Sequence, residues 1–134
     1  MEKSNVVQVI RSFSPVELRE ARKFLQSPFF NQRQDLIDLF EWLAAAKKPQ
    51  KKLLRQQVFE NETPDDQKIR LLMSYLHRLL EQFLIVKKVT ENDMGNQIAL
   101  ATAYRQRGLT EAFDRVFKRA NQNLEKQRLR NTDF

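Results

Sequence analysis

The chain has no cysteine, one histidine, two glycines and four prolines in 134 residues. Each scarcity excludes something. Without cysteine there can be no disulfide, thiolate metal site or cysteine nucleophile, and a reducing compartment suits such a chain. With only Gly95 and Gly108, there are too few glycines for loops in which phosphate approaches the backbone. Tight hairpin turns, which need positive φ at successive residues, are excluded for the same reason. Long apolar runs are missing too. Phe83-Leu84-Ile85-Val86 extends over four residues, far short of the ~20 a membrane-spanning helix requires. Residues 1–11 have neither a basic start nor a long apolar run, so they do not read as a secretory signal. The expectation is a cytoplasmic protein with no membrane segment.

What the chain does have is helix-forming residues and charge. Leu, Gln, Arg, Lys, Glu and Ala are abundant, and with so little glycine they predict an all-α protein. At this length one domain is expected, able to hide ~68% of the surface its unfolded chain exposes. Lys and Arg number 24 against 17 Asp and Glu, a net charge of +7. That excess fits a soluble domain with interspersed charges. The interspersed acids favour that reading over the alternative, an electrostatic footprint for nucleic acid or anionic lipid.

Helix starts are legible. Ser4 can cap a short helix to about Arg11, with Val6, Val7, Val9 and Ile10 on its apolar side. Ser14-Pro15-Val16-Glu17 combines a cap, a first-turn proline and a capping-box carboxylate. Leu18, Ala21, Phe24 and Leu25 then share a face, and Pro28 ends the helix. Asn31 is expected to cap a helix from Gln32 to about Lys47, striped by Leu36, Leu39, Phe40 and Leu43, with Phe30 stapled onto its first turns. A short basic helix, Lys51 to Phe59, is expected to bury Leu53, Leu54, Val58 and Phe59. Thr63-Pro64-Asp65-Asp66 opens a long helix to about Val89. Its stripe is Ile69, Leu72, Met73, Leu76, Leu79, Leu80, Phe83 and Val86. Asn92 to Gly95 reads as a turn, Asn96 to Gln106 as a helix closed by Gly108, and Thr110 as the cap of a helix to about Leu129. No span alternates with period two.

Catalytic chemistry finds little support. His77 is the only imidazole and lies inside the long helix with Glu81 one turn on. A general base needs an orienting partner and a reacting group nearby, and a helix-surface pair explains both residues. An enzyme using His77 is the third reading behind two binding functions. The carboxylates Asp35, Asp38, Asp65 and Asp66 suit helix surfaces and N-termini. No catalytic, metal or cofactor residue is assigned.

Two basic clusters stand out. Lys47, Lys48, Lys51, Lys52 and Arg55 span nine residues around Pro49 and are able to neutralise several phosphates. Arg115, Lys118, Arg119, Lys126, Arg128 and Arg130 mark the C-terminal helix. No aromatic interleaves these bases as a stacking platform requires. Phe29-Phe30 is either a buried connection or an exposed anchor. Trp42 lies about a hundred degrees off its helix's apolar stripe, at the core edge or on a partner surface.

Leu100, Ala101, Tyr104, Gly108, Phe113, Phe117 and Ala120 describe a helix, a glycine-closed turn and a returning helix. Residues 94–127 thereby resemble one divergent tetratricopeptide repeat unit. Gln97 stands where that repeat has an aromatic, Phe113 where it has a small residue, and Glu125 where it has proline. One such unit cannot bury both its faces. The run Phe24 to Asn31, the helix Ile69 to Val86 and the stretch Arg107 to Phe134 also resemble the N-terminal part of longer, uncharacterised all-helical bacterial proteins. That resemblance implies a helical-repeat scaffold continuing past Phe134 and supplies no site residue.

The expected architecture is a single all-α domain over 1–134. It has six to seven helices in all, a bundle (1–91) grading into a tetratricopeptide-like helical hairpin (92–134). The expected function is a non-catalytic scaffold that binds a protein or peptide through Trp42, Tyr104, Arg105 and Arg115, its basic residues steering an acidic partner. The alternative is nucleic-acid binding through Lys47, Lys48, Lys51, Lys52 and Arg55.

Overall fold

The computed structural model describes residue 1, residues 3–59 and residues 65–132, without the side chains of residues 55, 56, 131 and 132. Among these the protein is all-α, with seven helices and no strand. They are α1 (Asn5–Ser12), α2 (Pro15–Gln26), α3 (Gln34–Ala45), α4 (Lys51–Gln57), α5 (Asp66–Glu91), α6 (Asp93–Gln106) and α7 (Thr110–Thr132). Contacts divide the chain into two compact units, Met1–Leu84 and Ile85–Phe134. The division falls inside α5.

The first unit is a helical bundle, with α2 and α1 packed on α3. Helices α1, α2 and α5 begin where their side-chain caps lie. Ser4 Oγ accepts from the Val7 amide at 3.4 Å. At α2 the capping box is complete: the Glu17 amide donates to Ser14 Oγ at 3.1 Å, and the Ser14 amide donates to Glu17 Oε1 at 3.0 Å. Asp65 Oδ1 accepts from the Lys68 amide at 2.8 Å and caps α5. The predicted Thr63-Pro64 start lies outside the described residues. Amphipathic stripes then converge on one core. Leu25, Leu39, Phe40, Leu54, Leu72, Leu76 and Leu80 are fully buried. Phe83 joins this core, edge-on to Phe13 at 5.7 Å and tilted against Phe24 at 5.6 Å.

Asn31 does not cap α3. That helix starts at Gln34, and its N-cap position, Arg33, makes no side-chain cap. Asn31 is instead buried. Its Nδ2 donates to the carbonyls of Leu25 (2.9 Å) and Arg33 (3.1 Å), and its Oδ1 accepts from the Arg33 amide at 3.0 Å. Three bonds from one amide tie the α2–α3 connection to the end of α2, which leaves α3 to start two residues later. Phe30 correspondingly stacks back on Phe24 at 4.3 Å rather than stapling α3. Leu53, expected inside, is exposed, whereas Leu54 carries the burial of α4.

The second unit is built on a helical hairpin, α6 against α7. The expected turn at 92–95 contracts to one residue. Asn92 caps α6, its Oδ1 accepting from the Met94 and Gly95 amides at 3.1 and 3.2 Å. Gly95 is therefore helical, and nothing in its surroundings demands glycine. Gly108 is different. Its φ is +73°, in the left-handed region glycine alone adopts freely. The Leu109 amide reaches the Tyr104 carbonyl at 2.9 Å and the Gly108 amide reaches the Arg105 carbonyl at 3.1 Å. This is the Schellman pattern, and it stops α6 and turns the chain.

Candidate partner-binding groove

α7 carries an apolar stripe, whereas α6 spreads its apolar residues around its circumference, and only Val116 in this unit is buried among the described residues. A two-helix hairpin buries the line of contact between its helices and little else. Part of the remaining apolar surface lines a groove of about 700 Å³. Met94, Ile98 and Ala101 come from α6, and Phe113, Phe117 and Leu124 from α7. Their spacings of three, four and seven set each group on one helix face. Ile98, Phe117 and Leu124 are 59%, 52% and 54% exposed. Phe113 and Phe117 stack with centroids 5.8 Å apart, forming a firm aromatic wall.

The groove has a polarity of its own. Arg105 lies in its wall near the turn, and no carboxylate lines it. At the other end an adjoining hollow is lined by Lys126, Arg130 and Asp93. Thr102 Oγ1 donates to the Ile98 carbonyl at 2.9 Å. Gln97 also lines the groove, and its Oε1 is buried with no hydrogen-bond partner among the described residues.

Of the four residues expected to bind a partner, the groove contains Arg105. Tyr104 is half-buried outside the lining, and Arg115 is exposed about half a turn away from the Phe113–Phe117 face. Trp42 belongs to the first unit. It is half-buried and its indole Nε1 donates to Gln57 Oε1 at 2.6 Å. With Lys47, Lys48 and Leu53 it lines a hollow of about 340 Å³. Ile98 and Leu124 were not expected in the site. Their signal was the stripe Met94-Ile98-Ala101, continued on α7 as Phe113-Phe117-Leu124.

The basic residues near Pro49 are partly separated. Lys47 and Lys48 are exposed beside Trp42, and the Arg11 guanidinium donates to the Lys47 carbonyl at 2.9 Å. Lys51 lines a different hollow with Arg70 and Met73. Lys52 is exposed, and the Arg55 side chain lies outside the described residues. His77 is half-buried on α5, its Nδ1 3.5 Å from Glu81 Oε1. Two guanidinium groups are held above their ordinary pKa by carboxylates: Arg22 by its hydrogen bonds with Glu41, and Arg33 by those with Asp35. Both pairs sit at the surface of the bundle and neither borders the groove. Among the described residues no three carboxylate or imidazole side chains gather as a metal site, and no helix is long and apolar enough to cross a membrane. No protein family, curated protein or solved structure matches the chain.

Proposed function

We propose that this protein is a non-catalytic interaction module, and that the α6/α7 groove is its protein-binding surface. One observation carries the reading. Ile98, Phe117 and Leu124, which amphipathic spacing marks for burial, instead stand open to solvent around one hollow. Contiguous exposed apolar surface of this kind marks interaction sites. In this reading the hairpin, with its Gly108-closed turn, acts as one tetratricopeptide-like unit whose open face is completed by a partner. A cysteine-free chain suits a cytoplasmic role.

A display library of helical and extended peptides tests the proposal. It is selected on the full chain and counter-selected on Phe117→Asp, with circular dichroism confirming that the variant keeps its helices. The expected survivors bind the unaltered chain and not the variant. Survivors that bind both proteins alike would sink the reading.

The exposed Lys47, Lys48 and Lys52 around the α3–α4 connection support a second reading, nucleic-acid binding. Anisotropy of labelled duplex DNA and single-stranded RNA at ~50 and ~200 mM salt separates the two, because phosphate-driven affinity falls by orders of magnitude over that range. Binding lost when these lysines become Gln would put nucleic acid first.

A further inference from the structure

We infer that the occupant of the α6/α7 groove is an acidic amphipathic α-helix of about three turns, with a carboxylate at each end of its apolar stripe. The inference rests on the groove being the binding surface.

Shape and hydrogen bonding favour a helix. Met94 and Arg105 mark the groove on α6, and at 1.5 Å per residue they stand ~16 Å apart. A helix laid beside two antiparallel helices satisfies its own backbone and offers apolar side chains at spacings of three and four. An extended segment needs partners for its amides and carbonyls. The apolar walls offer few. Gln97 Oε1 is buried out of reach, and the Thr102 hydroxyl hydrogen is already given to Ile98.

Charge favours an acidic occupant. Arg105 at one end, and Lys126 and Arg130 at the other, have no side-chain ion pair or hydrogen bond among the described residues. Among the described residues Asp93 is the only carboxylate lining either hollow. A helix with acids at positions i and about i+11, and apolar residues at about i+4 and i+7, sets all four on one face at the groove's length. A second copy of this chain is the wrong partner. From Arg115 onward α7 carries six bases and only Glu125 as an acid, so apposing two such helices sets like charges together.

The test uses the full chain and labelled peptides of about 16 residues, long enough to span the groove as a helix. One carries Glu at both end positions, one Gln, one Lys, and a fourth carries the Glu pair with two prolines inside the stripe. Anisotropy is read at ~50 and ~150 mM salt. The Glu peptide is expected to bind about tenfold more tightly than the Lys peptide, with the margin shrinking as salt rises. Arg105→Gln is expected to weaken the Glu peptide by about three- to tenfold and leave the Gln peptide unchanged, a split that a merely structural role for Arg105 does not produce. Phe117→Asp and Leu124→Asp are each expected to abolish binding.

Equal binding of Glu and Lys peptides, lost in Phe117→Asp, overturns the acidic occupant and keeps the groove. Tight binding of the proline-broken peptide overturns the helix. A dimer in sedimentation that Phe117→Asp dissolves makes a second copy the occupant. Duplex DNA that displaces the Glu peptide and is weakened by Arg105→Gln makes it nucleic acid. Peptide binding indifferent to Phe117→Asp and Leu124→Asp overturns both the inference and the groove.

Discussion

The two units use the same local rules and reach opposite outcomes. In Met1–Leu84, the stripes of α1, α2, α3, α4 and α5 each find another apolar face, and a contiguous core results. In Ile85–Phe134, α7 carries a stripe and α6 sets Met94, Ile98 and Ala101 on one face with further apolar residues on its others, but only Val116 is buried among the described residues. The difference is the number of faces available. Several helices around one axis can cover every stripe, whereas two helices cover one line. Residues that look alike along the sequence, such as Phe40 and Phe117, therefore do different work. Phe40 is fully buried and holds the bundle together. Phe117 is half open and is free to hold something else.

The sharpest break of this comparison is the same substitution made twice. Phe40→Ala is expected to cost about 3–5 kcal/mol, the lost transfer energy plus a cavity. Phe117→Ala is expected to cost under about 1 kcal/mol, because its ring already meets water. Trp42, the single tryptophan, lies in the first unit. Its fluorescence during urea unfolding reports that unit, and far-UV circular dichroism reports both. A large loss at Phe117 would mean that the hairpin's stripe stabilises the fold as much as the bundle's does.

Gly108→Ala sharpens the comparison from the hairpin's side. No atom lies within 4 Å of the added Cβ, so the whole effect is the strain of holding φ at +73°. It is expected to destabilise the hairpin by about 1–2 kcal/mol. The helical signal should soften at lower urea while the Trp42 transition stays in place. If both transitions move together, the units unfold as one.

One expected effect is a gain. Gln97→Met replaces a buried, unpartnered carbonyl with a thioether of similar shape. Removing an unsatisfied acceptor is expected to stabilise the hairpin by about 1 kcal/mol, read as a higher urea midpoint of the helical signal. A loss would show that the Gln97 carbonyl is satisfied in solution.

Local chemistry was legible residue by residue. The Ser14-Pro15-Glu17 box, the Ser4 cap and the Gly108 stop are each decided by one or two neighbouring hydrogen bonds, so reading the chain was enough. The stripe of α5 was legible for the same reason: helix geometry sets side-chain spacing before any packing occurs. Asn31 was misread because its partners include the Leu25 carbonyl, six residues back. A residue between two helix patterns can cap the second or lock the first, and the sequence contains both options.

The groove was only half legible. Arg105 lines the groove, whereas packing sets Tyr104, Arg115 and Trp42 outside its lining. All-α class and the locally capped ends at Ser4, Ser14 and Gly108 follow from the chain alone, because they depend on φ preferences, caps and periodicity within a few residues. Which stripe is covered and which stays open depends on how many other helix faces reach it. That is a long-range property, and only the tertiary structure decides it.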